Sequence, residues 1–292
     1  MTGPRTILIT GCSEGGLGDA LALALHHNGQ RVIATARNPD KMAHFRDLGI
    51  DTLTLDVLSL DSISSCVAAV AEKTGGSLDI LINNSGGGYS MPLMDANLDA
   101  SRQLFDLNVW SVLAVTQAFL PLLLKSSFGG IIAINTSISS VVPTPMAGIY
   151  NASKAAAAML TDNMRLELAP FGIKVVDLKT GAVKSRFFGN QQGGAGPTLP
   201  KDSLYNIAKE DVEKVLAGTK MASSMLERDD WAREVVAKLL TRSPPSQIWM
   251  GGNAFLVWFS LKFLPSQFLE SNLWKIGALD VVKRNLSNVL HK

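Results

Sequence analysis

Residues 9–18 read "ITGCSEGGLG", the end of an apolar run followed by glycines at 11, 15, 16 and 18. Glycine tolerates positive φ and lets another surface approach the backbone, at a cost in chain entropy on folding. Such a cluster needs a reason, and its flanks supply one. Upstream, Thr6 to Thr10 form a β-rich run bounded by Pro4 and Gly11, continuously apolar at its centre like a strand buried on both faces. Downstream, "DALALALHHNG" from Asp19 is rich in alanine and leucine and predicts a helix that Gly29 stops. Arg31 to Ala36 is a second strand, which closes a βαβ unit of the expected size. A strand, a glycine turn and a helix N-terminus present free N–H groups and a positive dipole end to an anion. The turn is therefore expected to hold a nucleotide pyrophosphate.

The remaining composition narrows the class. A chain of 292 residues, 47% hydrophobic, buries a substantial core. A net charge of +2 with 18% charged residues, and no basic-aromatic stripe, gives no footprint for nucleic acid. Cys12 and Cys66 form no CxxC pattern, which fits a reducing, cytoplasmic compartment. The histidines have no metal-ligand spacing, so no metal site is expected. The first strand begins almost at Met1, so no signal peptide is expected. The longest apolar segment, "IWMGGNAFLVWFSLKFLP" at 248–265, is interrupted by Gly251, Gly252, Asn253, Ser260 and Lys262 and falls short of a spanning helix. Its aromatics predict a surface that meets a membrane interface or a partner subunit, or else one that closes a pocket.

Strand-like runs recur at about 5–10, 31–36, 51–56, 78–84, 130–136, 173–179 and 247–250, with helical stretches between them. This alternation predicts a single α/β domain, a doubly wound Rossmann-type parallel sheet of about seven strands with ligands at one edge. The catalytic domain spans 1–250, with a loop and helix inserted at 185–230, and an apolar extension over 251–292 packs on it. Within the insertion, "GNQQGGAGPTLPKDS" at 189–203 reads as a mobile substrate cover or a surface linker. "DSLYNIAKEDVEKVLAGTK" after it predicts an amphipathic helix.

Beyond the fifth strand lies "INTSISSVVPTPMAGIYNASKAAAAML" at 134–160. Tyr150 and Lys154 are four apart, on one face of a predicted helix. A phenol with pKa ~10 is a poor acid-base catalyst at neutral pH. An ammonium beside it in a partly dry site is expected to favour the phenolate and lower that pKa, and also to reach a ribose hydroxyl. Ser137 is placed to hydrogen-bond and polarise a carbonyl oxygen.

Together with "LDV" at 55–57, "LINNSGG" at 81–87, Asn108 in "LFDLNVWS" and "TGAVKS" at 180–185, these motifs closely resemble the short-chain dehydrogenase/reductase family over residues 5–250. The resemblance implies Tyr150 as proton donor, Lys154 as its pKa modulator and ribose ligand, and Ser137 as the group orienting a substrate carbonyl. It implies that Asn108 holds a helix distortion and a relay water. It also implies a cofactor surface of Gly11, Ser13, Gly16, Leu17, Gly18, Val57 and Asn83, with Asp56 at the adenine edge and Val183 and Ser185 facing the nicotinamide. The glycine turn departs from the family pattern by one extra residue before Gly16 and by Glu14, and Ser85 and Thr180 replace an alanine and a proline.

After the second strand, "VIATARNPDK" offers Arg37 and no acid before Asp40. A carboxylate there would suit the ribose diol of NAD, whereas a guanidinium suits a 2′-phosphate. The expected cofactor is NADPH/NADP+, with Ser13 assisting. A narrower resemblance, in "TGCSEGG", "ATARNPDKM", "TGAVKS" and "WMGGNAFLVWF", is to fungal reductases of the 1-acyldihydroxyacetone-phosphate reductase kind. It implies reduction of an apolar ketone, lipid-like or from secondary metabolism, at an ER membrane or lipid droplet touched through 248–265, by a homo-oligomer. The alternative is a catalytically silent NADP(H)-binding scaffold. Met91, Met94, Met146, Phe187 and Phe188 are candidate pocket walls.

Overall fold

A computed structural model describes residues 3–187, 197–219 and 224–290. Its centre is a parallel sheet of β1 (Thr6–Thr10), β2 (Arg31–Ala36), β3 (Asp51–Thr54), β4 (Ile80–Asn83), β5 (Ile131–Asn135), β6 (Lys174–Thr180) and β7 (Gln247–Met250). The strand order is β3-β2-β1-β4-β5-β6-β7. The order reverses between β1 and β4, which neighbour each other through Ile7–Ile80 and Ile9–Ile82, and ligands of open α/β sheets bind beyond the strand C-termini at such a point.

Strand alternation sorts the apolar residues into two layers. Ile7, Ile9, Ile80, Ile82, Val176 and Leu178 face α1 (Leu17–His27) and α7 (Arg228–Leu239), around the fully buried Trp231. Leu8, Leu81, Ile132, Ile134 and Val175 face the other way, toward α2 (Leu60–Thr74), α4 (Ser111–Leu123) and α5 (Gly148–Leu168). The central strands β1, β4 and β5 are covered on both sides, and for that reason their sequences read as nearly continuously apolar.

Ahead of α4, α3 (Leu98–Phe105) continues through a π-helical turn at Asp106–Trp110, giving one helical run over Leu98–Leu123. That run is apolar and long enough to cross a bilayer, yet half of its most apolar stretch is buried, as in a core helix. The amphipathic helix expected over 202–220 divides into a 3-10 segment, Leu204–Ala208, and α6 (Lys209–Leu216). Ser203 caps the first segment by accepting from Tyr205 N. A third cluster, with Tyr89, Met91, Met146, Leu199, Val212 and Leu216, lies between this insertion and α5.

The C-terminal extension forms α8 (Ala254–Phe263), α9 (Ser266–Ile276) and α10 (Leu279–Leu290). α10 returns to the body, where Asn285 Nδ2 donates to Ile207 O at 2.9 Å and Val281 and Val282 join the third cluster. α8 is apolar nearly all round, and Phe255 and Phe263 are largely exposed.

Candidate active site

A cavity of about 600 Å³ runs along the C-terminal edge of the sheet, from the glycine turn after β1 to Tyr150 on α5. Its first end is made of backbone. Gly11 and Gly15 adopt φ of +74° and +79°, where a side chain would be strained. Gly18 is needed for a different reason: a Cβ there would lie 2.5 Å from Gly11 O and 2.6 Å from Asn84 Nδ2. α1 starts at Gly16 with no side-chain cap, which leaves its first amides for an anion. Behind the turn, the buried Asp19 accepts from Gly15 N at 2.8 Å, Arg228 Nη1 at 2.7 Å and His44 Nε2 at 2.8 Å. The loop is therefore fixed by a carboxylate that faces away from the cavity. Cys12 in the same turn is inert, because burial pushes its thiol up to about 12.

Gly11, Ser13, Gly16, Leu17, Arg37, Asp56, Val57, Val183 and Ser185 all border this cavity. The Arg37 guanidinium has no ion pair among the described residues and stands at the end of β2 beside Asn38 and Lys41. Gly18 borders no part of the cavity and supports the loop from below. Asn83 is a correction. Alternation turns its side chain to the α4 face, where Nδ2 donates to Thr116 Oγ1 at 2.9 Å, so it lies off the cavity.

The neighbouring residue takes the place expected for Asn83. Asn84 Nδ2 donates to Thr10 O at 2.9 Å and Gly11 O at 3.2 Å, and Asn84 Oδ1 accepts from Asn135 Nδ2 at 2.9 Å. Asn135 Oδ1 in turn accepts from Thr180 Oγ1 at 2.6 Å. One polar chain thus joins the ends of β1, β4, β5 and β6. Thr180, which stands where the family pattern has a proline, supplies a hydroxyl that proline lacks. A missed contributor is Arg186, whose Nε lies 2.7 Å from where a Cβ on Gly15 would stand. The clue to Asn84, Asn135 and Thr180 was their position at or just beyond strand C-termini, the edge where ligands bind.

The second end carries the reactive side chains. Ser137 follows β5, is nearly buried, and its Oγ accepts from Ser139 N at 3.0 Å. Tyr150 sits in the first turn of α5 and borders the same cavity as Ser137, whose side chain pulls the phenol toward ionisation. Lys154 lies one turn on, with Nζ 5.9 Å from the Tyr150 ring centroid and donating to Asn135 O at 2.9 Å. The expected lowering of the phenol is not found. Burial pushes Tyr150 up to about 12, with Ser137 pulling weakly the other way, and burial pushes Lys154 down to about 8 against the field of Asp177. Desolvation disfavours both charged forms. Tyr150 is therefore held as a neutral O–H donor.

Asn108 occupies the π-helical turn, so the expected helix distortion is present. Its side chain is engaged by Gly87 N at 2.9 Å, Gly87 O at 3.0 Å and Ser153 Oγ at 3.0 Å. Asn108 borders no part of the cavity, and these contacts tie the β4 loop to α5 behind Lys154. Of the candidate walls, Phe187 borders the cavity and meets Tyr150 edge-on at 5.7 Å, while Met91 and Met146 are packed in the third cluster. Met94 is 78% exposed on the outside and is no wall. Phe188 and most of the polar stretch 189–203, through residue 196, lie outside the described residues.

A sheet-edge cavity with an uncapped helix at one end and a Ser-Tyr-Lys set at the other defines a dinucleotide-binding oxidoreductase. The family model for short chain dehydrogenase matches residues 5–194. A short-chain dehydrogenase/reductase of Pestalotiopsis microspora is 48% identical over 282 residues, covering 97% of each chain. The chain belongs to the short-chain dehydrogenase/reductase family. The NADPH-dependent 1-acyldihydroxyacetone phosphate reductase of Schizosaccharomyces pombe is 34% identical over 262 residues, 86% of this chain and 87% of that one. Among solved structures, a short-chain dehydrogenase from Streptomyces avermitilis superposes with a TM-score of 0.74 at 26% identity, over 97% of this chain and 98% of that chain.

Proposed function

We propose that this protein is an NADPH-dependent reductase of an apolar ketone, with Tyr150 as the proton donor. The observation that carries the reading is that Ser137, Tyr150 and Lys154 line the same cavity as the glycine turn, with Lys154 Nζ 5.9 Å from the Tyr150 ring. When bound, NADPH would supply the hydride. Uncapped amides of α1 suit its pyrophosphate, and the guanidinium of Arg37, which has no ion pair among the described residues, suits its 2′-phosphate. The NADPH dependence named for the Schizosaccharomyces pombe relative supports the same choice.

Ser137 Oγ and the Tyr150 hydroxyl together bind the carbonyl oxygen and polarise it. As negative charge develops there, Tyr150 transfers its proton to that oxygen. Lys154, still an ammonium at neutral pH, then offsets the charge left on the phenol. A phenol held neutral by burial suits reduction, in which its task is to give up a proton.

The substrate class is read from Phe187 at the mouth and from the apolar third cluster under the insertion. A lipid-like ketone or a secondary-metabolite intermediate fits both. We further propose a homo-oligomer at the cytoplasmic face of an ER membrane or lipid droplet. Trp110, Met159, Leu166 and Phe171 are exposed along the α4–α5 side, and Phe255, Leu256 and Phe263 along α8. Sedimentation tests the first surface and flotation with liposomes the second. The enzymatic reading is tested by NADPH consumption with acetophenone, cyclohexanone and long-chain methyl ketones. Turnover that Tyr150→Phe abolishes supports it, and NADPH binding without turnover on any ketone favours a silent scaffold.

A further inference from the structure

Two charged side chains lie where the sheet interior should be apolar. Asp177 and Lys179 project from β6 toward the α5 side, the face that Val175 shares, and are 1% and 3% exposed. Lys179 Nζ is 2.7 Å from Asp177 Oδ2. A buried ion pair of this kind does little for stability, since an apolar pair of similar volume commonly serves as well or better. The contacts that the two residues make point to another use.

Both reach the turn that carries Ser137, from opposite ends. Thr136 Oγ1 donates to Asp177 Oδ1 on the N-terminal side. On the C-terminal side, Lys179 Nζ donates to Ser140 Oγ at 2.8 Å, and Ser140 Oγ donates to Ser137 O at 2.6 Å. Between these anchors stands only the short 3-10 turn Ile138–Ser140. β6 is an interior strand, paired with β5 on one side and β7 on the other, so both anchors are fixed to a rigid element.

We propose that the buried Asp177–Lys179 pair positions Ser137, holding residues 136 and 140 so that its hydroxyl is aimed at the substrate carbonyl beside Tyr150. The two residues act through Thr136 and Ser140 and touch no substrate. Asp177 has a second effect in the same direction: its charge favours the ammonium form of Lys154. The inference rests on the role of Ser137 proposed above.

The test uses Ser140→Ala, which cuts the relay without disturbing a charge, Lys179→Met, and the apolar pair Asp177→Leu/Lys179→Met. With acetophenone as the probe ketone, each lowers kcat by about ten- to a hundred-fold while NADPH affinity stays unchanged. The apolar pair folds at least as stably as wild type and remains slow, which a merely structural role does not predict. In a Ser137→Ala background Ser140→Ala and Lys179→Met cost nothing further, because the group they position is gone. Hydrogen exchange gives a readout free of substrate: exchange in the 136–142 segment accelerates in Ser140→Ala and Lys179→Met while α1 and β1 are unaffected. Wild-type kcat and exchange in Ser140→Ala, or losses additive with that of Ser137→Ala, overturn the inference and leave Ser137's own role standing. Full turnover in Ser137→Ala overturns that role and the inference together.

Discussion

The two ends of the cavity use different materials. At the glycine turn, recognition is by backbone: positive φ at Gly11 and Gly15, uncapped amides at the start of α1, and a carbonyl under Gly18. At the α5 end, the proposed chemistry depends on side chains, a half-buried Tyr150 and a buried Lys154, whose ionisation desolvation shifts, Tyr150 upward and Lys154 downward. Backbone recognition needs conformational freedom and a defined spacing of small residues. Side-chain chemistry needs a fixed environment assembled from distant strands. The difference predicts that mutations at the two ends separate binding from turnover.

Lys154 is the exception that should break the separation, because the proposed function assigns it a role at both ends. Lys154→Ala is expected to produce the largest loss, lowering turnover by roughly a hundred- to ten-thousand-fold and weakening NADPH binding as well. Steady-state kinetics alongside fluorescence titration of NADPH would show both; intact affinity would remove its ribose role.

A smaller effect sharpens the backbone end. Arg37→Ala should weaken use of NADPH by about ten- to a hundred-fold, the loss of a charge-assisted contact of roughly 1.5–3 kcal/mol, and leave NADH nearly untouched. The comparison is kcat/KM for each cofactor. Equal losses for both would take the selector role away from Arg37.

The two ends were unequally legible in the sequence. Backbone recognition leaves its trace in residue type, so the glycine turn and the seven strands stand out from spacing alone. Side-chain direction follows from where each strand ends. Asn83 and Asn84 are chemically identical in the sequence, yet one turns to Thr116 and the other to Gly11. Likewise "KVVDLKT" reads as one strand, and only pairing with β5 shows that Asp177 and Lys179 lie under the Ser137 turn. The tyrosine pKa was misjudged for a related reason: spacing places a lysine near a phenol but says nothing of how dry both are. Met94, an apolar residue on an exposed 3-10 turn, shows that composition alone does not mark a pocket wall.

The shifted ionisation of the α5 end makes a pH prediction. Lys154, lowered to about 8, loses its charge as pH rises through that value, while Tyr150, raised to about 12, stays protonated. Turnover in the reduction direction should therefore decline by several-fold above about pH 8 with NADPH saturating. A rate that climbs through that range would mean that the phenolate is the working form.

The smallest expected effect lies outside both ends. Replacing exposed Phe255 and Phe263 of α8 with serine should shift stability by no more than about 0.5 kcal/mol and leave turnover intact, while abolishing any flotation with liposomes. Thermal melts and flotation of the same preparation measure both. A large loss of stability would mean that these side chains are structural.

The most direct measurement is on Tyr150→Phe, with NADPH affinity and ketone turnover determined on one preparation. The substitution removes a hydroxyl from the α5 end and alters nothing at the glycine turn. The account predicts an NADPH dissociation constant close to that of wild type and turnover reduced by about a hundred-fold or more. Near-normal turnover in that variant would contradict it.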